Sequence, residues 1–158
     1  MFLIALALLT MQTFTTVDHG AASQIEEARR VVVRTAAEWS ALWKAHGAEA
    51  EPPAIDFTNT MVLAVFAGTR PTAGHTITIT KIDVSDDGVV VRYRETAPKP
   101  DEMVAQMLTA PFHIVRTDAR RGKITFEREQ QRNPGTPPAN PLERPVFRVA
   151  LGLLRALA

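Results

Sequence analysis

The sequence predicts an α+β domain, a strongly bent antiparallel β-sheet of about six strands with one helix packed on a face, plus a C-terminal helix after a Pro-rich linker. Three observations predict it. Apolar residues alternate with polar ones along His75–Val84 and again along Val89–Tyr93, the period of half-buried strands. Met61–Ala67 is apolar without a break, as a central strand covered on both faces would be. Trp39, Leu42, Trp43 and His46 recur at helical spacing directly after a helix-start signal.

In chain order, Phe2–Leu9 is an apolar run too short for a membrane span, and the small residues Gly20-Ala21-Ala22 follow it. Residues 1–22 therefore read as a secretory signal or an N-terminal hydrophobic tail, although no basic residue precedes the run. An exported protein, periplasmic or extracellular, is the expectation. The β-branched run Val31-Val32-Val33 predicts a first strand, and a β-rich domain is expected over 30–127.

Thr35 and Glu38 have the spacing of a capping box, in which hydroxyl and carboxylate satisfy each other's free backbone amides. A helix should open at Ala36 and stop at Gly47, burying both tryptophans. Beyond the break at Pro52-Pro53 lies the Met61–Ala67 strand. In the next strand Ile77 and Ile79 point inward, and the phase then shifts to Ile82 and Val84, which predicts a bulge near Lys81. Ser85-Asp86-Asp87-Gly88 predicts a hairpin turn with a positive φ at the glycine.

Pro98-Lys99-Pro100-Asp101 predicts a rigid loop, and Val104–Leu108 reads as strand or one helical turn, strand being favoured. Phe112/Ile114 and Ile124/Phe126 flank Ala119-Arg120-Arg121-Gly122 and predict a second hairpin. From 128 to 145 the chain turns to Gln, Arg, Asn, Gly and Pro, a linker composition. Residues 146–158 read as a short apolar helix.

Composition excludes several function classes. Eighteen Lys and Arg against seventeen Asp and Glu leave a formal charge of +1, too little to collect nucleic acid. Membrane contact is expected only through the N-terminal segment or the C-terminal helix. The absence of cysteine removes disulfide frameworks, thiolate metal sites and cysteine nucleophiles.

The motifs for catalysis are weak. Ser23 borders the leader, Ser40 falls inside the helix and Ser85 opens a turn, so none sits in a nucleophile elbow. His19, His46, His75 and His113 include no close ligand pair; His75 and His113, with Asp56 or Asp83, are the one combination that neighbouring strands would bring together. Asp83, Asp86 and Asp87 lack calcium-loop spacing, and the glycines of Gly68–Gly74 lack a Gly-Lys-Ser/Thr ending. No catalytic residue, no metal site and no cofactor is expected.

The ordered series of the Trp39–Trp43 helix, Ile55-Asp56-Phe57, Met61-Val62-Leu63, Gly68-Thr69-Arg70-Pro71-Thr72-Ala73-Gly74-His75 and Thr109-Ala110-Pro111-Phe112-His113-Ile114-Val115 resembles the C-terminal domain of the PrcB family, over about Val31–Phe126. That resemblance implies a non-catalytic accessory subunit that stabilises or regulates a bacterial surface protease. The sequence departs from the family at Ala73-Gly74-His75, where Gly-Gly-Tyr is usual, and at Pro111-Phe112, where Pro-Tyr is usual. Two tyrosine hydroxyls are thus missing, while Gly74 keeps the permissive backbone position.

The expected partner is a protease or another envelope protein. Its contact edge would comprise Arg70, Pro71, Thr72, Gly74, His75, Lys99, Pro100 and Phe112, with Trp39, Trp43, Asp56, Phe57 and Pro111 serving the fold. Two other readings compete. Arg70-Pro71-Thr72-Ala73-Gly74 faintly resembles the loop of chagasin-type cysteine protease inhibitors, and His75 with His113 suggests a small-ligand or metal binder.

Overall fold

The computed structural model describes residues 10–130. The apolar run Phe2–Leu9, nearly all of the 128–145 linker and the 146–158 helix lie outside the described residues. The described chain is mostly β, with strands β1 (Thr10–Met11), β2 (Phe14–Gly20), β3 (Arg29–Val33), β4 (Thr60–Phe66), β5 (Thr76–Ser85), β6 (Gly88–Thr96), β7 (Phe112–Asp118) and β8 (Ile124–Arg128), and helix α1 (Ala36–His46). Among the described residues no helix is long and apolar enough to cross a membrane.

The strands form two four-stranded sheets rather than one bent sheet of six. The first runs β1-β5-β6-β8 and the second β2-β7-β4-β3. Strand β4 explains why two sheets and a helix are needed. Its Met61, Leu63 and Val65 face a core shared with Ile77, Ile79, Ile82, Val91 and Tyr93 of the first sheet. Its Val62, Ala64 and Phe66 face a second core with Trp39, Leu42 and Trp43 of the helix. The layers are therefore sheet, sheet, helix, and every side chain from Met61 to Phe66 is fully buried. At about 1.5 to 3 kcal/mol for each large apolar side chain taken from water, this strand dominates the stability of the fold.

Local chemistry matches the sequence closely at the helix. The Thr35 hydroxyl accepts from the Glu38 amide at 3.2 Å, and the Glu38 carboxylate accepts from the Thr35 amide at 3.1 Å. Gly47 ends the helix in the left-handed region, φ 79°. Both indoles are buried and both ring N–H groups have partners, Trp39 donating to Pro53 O at 3.0 Å and Trp43 to Ala50 O at 2.7 Å. The β5–β6 hairpin closes Ser85 on Gly88, and its register slips between Ile79 and Lys81, the expected bulge.

Three expectations are corrected. Phe112/Ile114 and Ile124/Phe126 do not form a hairpin, because β7 lies in the second sheet while β8 crosses to the first and pairs parallel with β6. Apolar alternation selected the buried face of each strand correctly but carries no information about the neighbour. Val104–Leu108 is not a strand: it is coil, with Met107 and Leu108 exposed and Val104 half-buried against Gly74. The folded part also begins well before residue 30. Strand β2 pairs with β7 from Phe14↔Thr117 to Gly20↔Phe112, and the β1–β2 turn is anchored by Gln12, whose amide donates to Thr117 Oγ1 at 2.6 Å and Asp118 O at 2.8 Å. Threonine-bearing β2 (Phe14–Gly20) is an edge strand, a role that demands little apolar content.

Candidate functional site

At one end of the sandwich, where β4 and β6 finish and β5 begins, the chain makes two long connections. The first is the Gly68–Gly74 loop. The second is a fifteen-residue strap from Ala97 to Pro111 that carries no strand of its own beyond isolated bridges. The two are laced together. Arg70 and Thr109 exchange backbone hydrogen bonds at 2.7 and 3.0 Å, the Ala73 amide donates to Ala105 O at 3.0 Å, and the Thr109 hydroxyl donates to Thr72 O at 2.9 Å. Gly74, at φ 84°, lies so close to the strap that a Cβ there would meet Pro98 at 3.1 Å and Val104 at 3.3 Å.

This lacing gives a long connection the rigidity of a sheet edge while its side chains stay outside. Met103 is fully exposed, and Met107 and Leu108 are 57% and 73% exposed. Lys99 and Glu102 tie the strap's first turn, the Lys99 amide donating to the Glu102 carboxylate at 3.0 Å. Three large apolar side chains are thus exposed on one short segment whose backbone is held.

Of the residues expected on the contact edge, Arg70, Pro71, Thr72, Gly74, His75, Lys99 and Pro100 lie on this loop and strap. Phe112 does not. It is 6% exposed and packs its ring against His46 at 4.1 Å and Phe66 at 6.2 Å, inside the helix-side core. The second residue of the Pro111-Phe112 pair begins β7, where an inward register position decides the matter. The sequence does not single out Met103, Met107 and Leu108; the last two fall in Val104–Leu108, whose pattern favours strand.

Trp39, Trp43 and Pro111 are buried as fold residues should be, with Pro111 O accepting from the Ala67 amide at 2.9 Å. Asp56 caps a turn: its carboxylate takes the Thr58 amide at 2.9 Å and the Asn59 side chain at 3.2 Å, and these hydrogen bonds hold its pKa below the ordinary carboxylate value. Phe57 is half-buried against the helix-side core.

His113 and His75 do not form a ligand pair. The Nδ1 of His113 accepts from the Ile79 amide at 2.9 Å and its Nε2 lies 2.9 Å from the Thr16 hydroxyl, so both ring nitrogens are occupied by protein. Burial, and then the nearby charge of His19, push its pKa down and favour the neutral ring. Asp83 is buried and paired with Lys81 at 2.7 Å and Arg92 at 3.0 Å. Burial alone would raise its pKa; the hydrogen bonds and charges of those two cations outweigh it and keep the carboxyl below its ordinary value.

A second convergence was not foreseen. Asp18 of β2, Ser23 and His46 of α1 meet beside an open hollow of about 550 Å³, with Ser23 Oγ 2.9 Å from His46 Nδ1 and Asp18 Oδ2 3.4 Å from Nε2. The residue types are those of a hydrolytic triad. Their surroundings are otherwise. Ser23 Oγ already accepts the Ile25 amide at 3.1 Å, and the amides of Ser23 and Gln24 are spent on Ala110 O and His46 O, so none of these three can stabilise an oxyanion. The arrangement ties the segment after β2 to the end of the helix. No sequence signal foretold it, since the three residues are brought together only by the β2–β7 pairing.

Taken together these features define a class: a two-sheet sandwich, backed by a helix, that presents a rigid apolar-tipped strap and a partnering loop from one end. Residues 61–118, from the start of β4 to the end of β7, match the family described as PrcB C-terminal. The match takes in both the Gly68–Gly74 loop and the Ala97–Pro111 strap and is shorter than the Val31–Phe126 span of the sequence resemblance. No curated protein and no solved structure matches the chain.

Proposed function

We propose that this chain is a non-catalytic, exported protein-interaction module that stabilises or regulates a protease, and that the Gly68–Gly74 loop and the Ala97–Pro111 strap are its contact edge. One observation carries the reading: Met103, Met107 and Leu108 stand in solvent on a segment whose backbone is fixed to the neighbouring loop. A monomeric domain gains nothing from exposing such residues on a rigid support, whereas a partner surface gains both apolar area and a low ordering cost. The PrcB C-terminal match over the same residues supports a protease as the partner.

The test is an incubation of the full chain with a subtilisin-like protease, following both turnover and self-digestion. Slower self-digestion without loss of turnover is the expected result, and the Met107→Ser/Leu108→Ser double variant should lose the protection while keeping the wild-type melting temperature. Sub-micromolar inhibition would replace the accessory role with an inhibitor. Protection unchanged in the double variant would move the contact edge elsewhere.

A further inference from the structure

We propose that the same end of the sandwich recognises a carboxylate on the partner polypeptide, bound between Arg70 and Arg128 beside the strap; the inference rests on the contact edge proposed above. Three guanidinium groups from three different parts of the chain converge on a single carboxylate, Glu95 at the end of β6. Arg30 of β3 reaches Glu95 Oε1 at 3.1 Å, while Arg70 of the loop and Arg128 of β8 both reach Oε2, at 3.4 and 3.5 Å. The Glu95 side chain is only 12% exposed, so one largely buried negative charge faces three positive ones.

The three arginines are not equivalent. Arg30 is committed to the fold: it donates to Phe66 O at 3.0 Å and the Tyr93 hydroxyl at 2.8 Å, and its guanidinium carbon lies 4.3 Å from the centre of the Tyr93 ring. Arg70 and Arg128 share one oxygen through long contacts, and their side chains are 31% and 60% exposed. Among the described residues Arg128 has no other ion-pair partner, and Arg70 adds only a 3.4 Å contact to Thr69 O. Nearby carboxylates are engaged elsewhere: Glu129 with Arg94 at 2.9 Å, and Glu102 with the Lys99 amide.

Two planar donor forks with unspent N–H groups, held side by side over an excess of positive charge, suit the two oxygens of an incoming carboxylate. Arg70 and Arg128 carry that excess at a partly exposed surface, where added salt screens it. The adjacent chemistry sets the context of the ligand. Arg70 pairs backbone to backbone with Thr109, so the site adjoins the strap that exposes Met107 and Leu108, and the occupant is an extended segment in which a Glu or Asp side chain adjoins apolar residues.

A heteronuclear NMR titration of the full chain tests this with two short acetylated and amidated peptides, one alternating leucine and glutamate and one alternating leucine and glutamine. The acidic peptide should shift the amides of Arg70, Leu108 and Thr109 and bind about ten-fold more tightly than its glutamine counterpart. Raising salt from about 50 to about 500 mM should erase most of that difference. Arg70→Gln and Arg128→Gln should each erase it too, without lowering the melting temperature. Equal binding of the two peptides would overturn the carboxylate assignment and leave the apolar contact edge standing. Binding of neither overturns it as well, and the protease-protection experiment then decides the contact edge independently.

Discussion

His113 in the second sheet accepts a hydrogen bond from the backbone amide of Ile79 in the first, at 2.9 Å and out of reach of water. A buried amide is costly to leave unpaired, and this imidazole satisfies the Ile79 amide beyond the two residues of β5 that β1 covers. Its acceptor role requires an unprotonated Nδ1, and burial together with His19 keeps the pKa below the ordinary 6.5.

Stability should therefore fall on mild acidification. The folded chain binds this proton less readily than the unfolded one, so the His113 contribution is full above about pH 6.5 and is lost as pH drops below it toward the folded pKa. Asp83 adds a loss in a lower window, below its ordinary 3.8, because its pKa is also held down in the fold. Urea midpoints measured from pH 7.5 to 5 should decline, and His113→Asn, whose side-chain oxygen can take the place of Nδ1, should flatten that decline. An unchanged slope in the variant would remove His113 as the cause.

Gly68 should tolerate alanine far less well than Gly122, although both have positive φ, 76° and 98°. A Cβ on Gly68 would lie 2.7 Å from Glu26 O and 2.8 Å from the Ala28 nitrogen, whereas one on Gly122 meets nothing within 4 Å. Conformational strain alone costs roughly 1 to 2 kcal/mol at either site, and the backbone collision at Gly68 adds about as much again. Comparison of the two melting curves checks this; equal losses would mean the segment around Glu26 yields to the new atom.

A chain starting at Ser23 should not fold. It lacks β2, the six-residue pairing with β7, the Gln12 hydrogen bonds and the Asp18 contact to His46. Exposing the β7 edge would also wet His113 and its link to β5. Near-UV circular dichroism and a denaturant titration of the shortened chain should show no cooperative transition. A native-like transition would make β2 an accessory strand.

Helix α1 and strand β4 were legible from sequence because each carries its own instructions. A capping box, four residues at helical spacing and a closing glycine define the helix, and seven consecutive apolar residues require two covering layers. The pairing of strands was not legible. Ile124 and Phe126 alternate as they would in a hairpin with β7, yet they pack on the first sheet, since alternation names a face and no partner. Strand β2 was hidden for the opposite reason: Thr15 and Thr16 sit on an edge, where little hydrophobic signal is required. The Gly68–Gly74 segment was legible as a loop from its Gly and Pro residues. The strap was legible only at Pro98–Asp101, because the exposed Met107 and Leu108 carry the same local apolar pattern that a buried strand would.

Trp43 offers the most direct measure of how firmly the helix is held. Its indole lies 5.0 Å from that of Trp39 and 5.9 Å from the His46 ring, and its N–H reaches Ala50 O at 2.7 Å, so the side chain both fills the helix-side core and fixes the chain after Gly47. Trp43→Ala should cost about 3 to 5 kcal/mol, the range for a large aromatic removed from a core that cannot close over the gap. Trp43→Phe keeps most of the apolar contact and loses the hydrogen bond, which is worth about 1 kcal/mol, with a further cost for the smaller ring. Urea denaturation of the three proteins should therefore rank them wild type, Phe, Ala. A loss below about 1 kcal/mol for alanine would show that the helix is not packed against β4 as described.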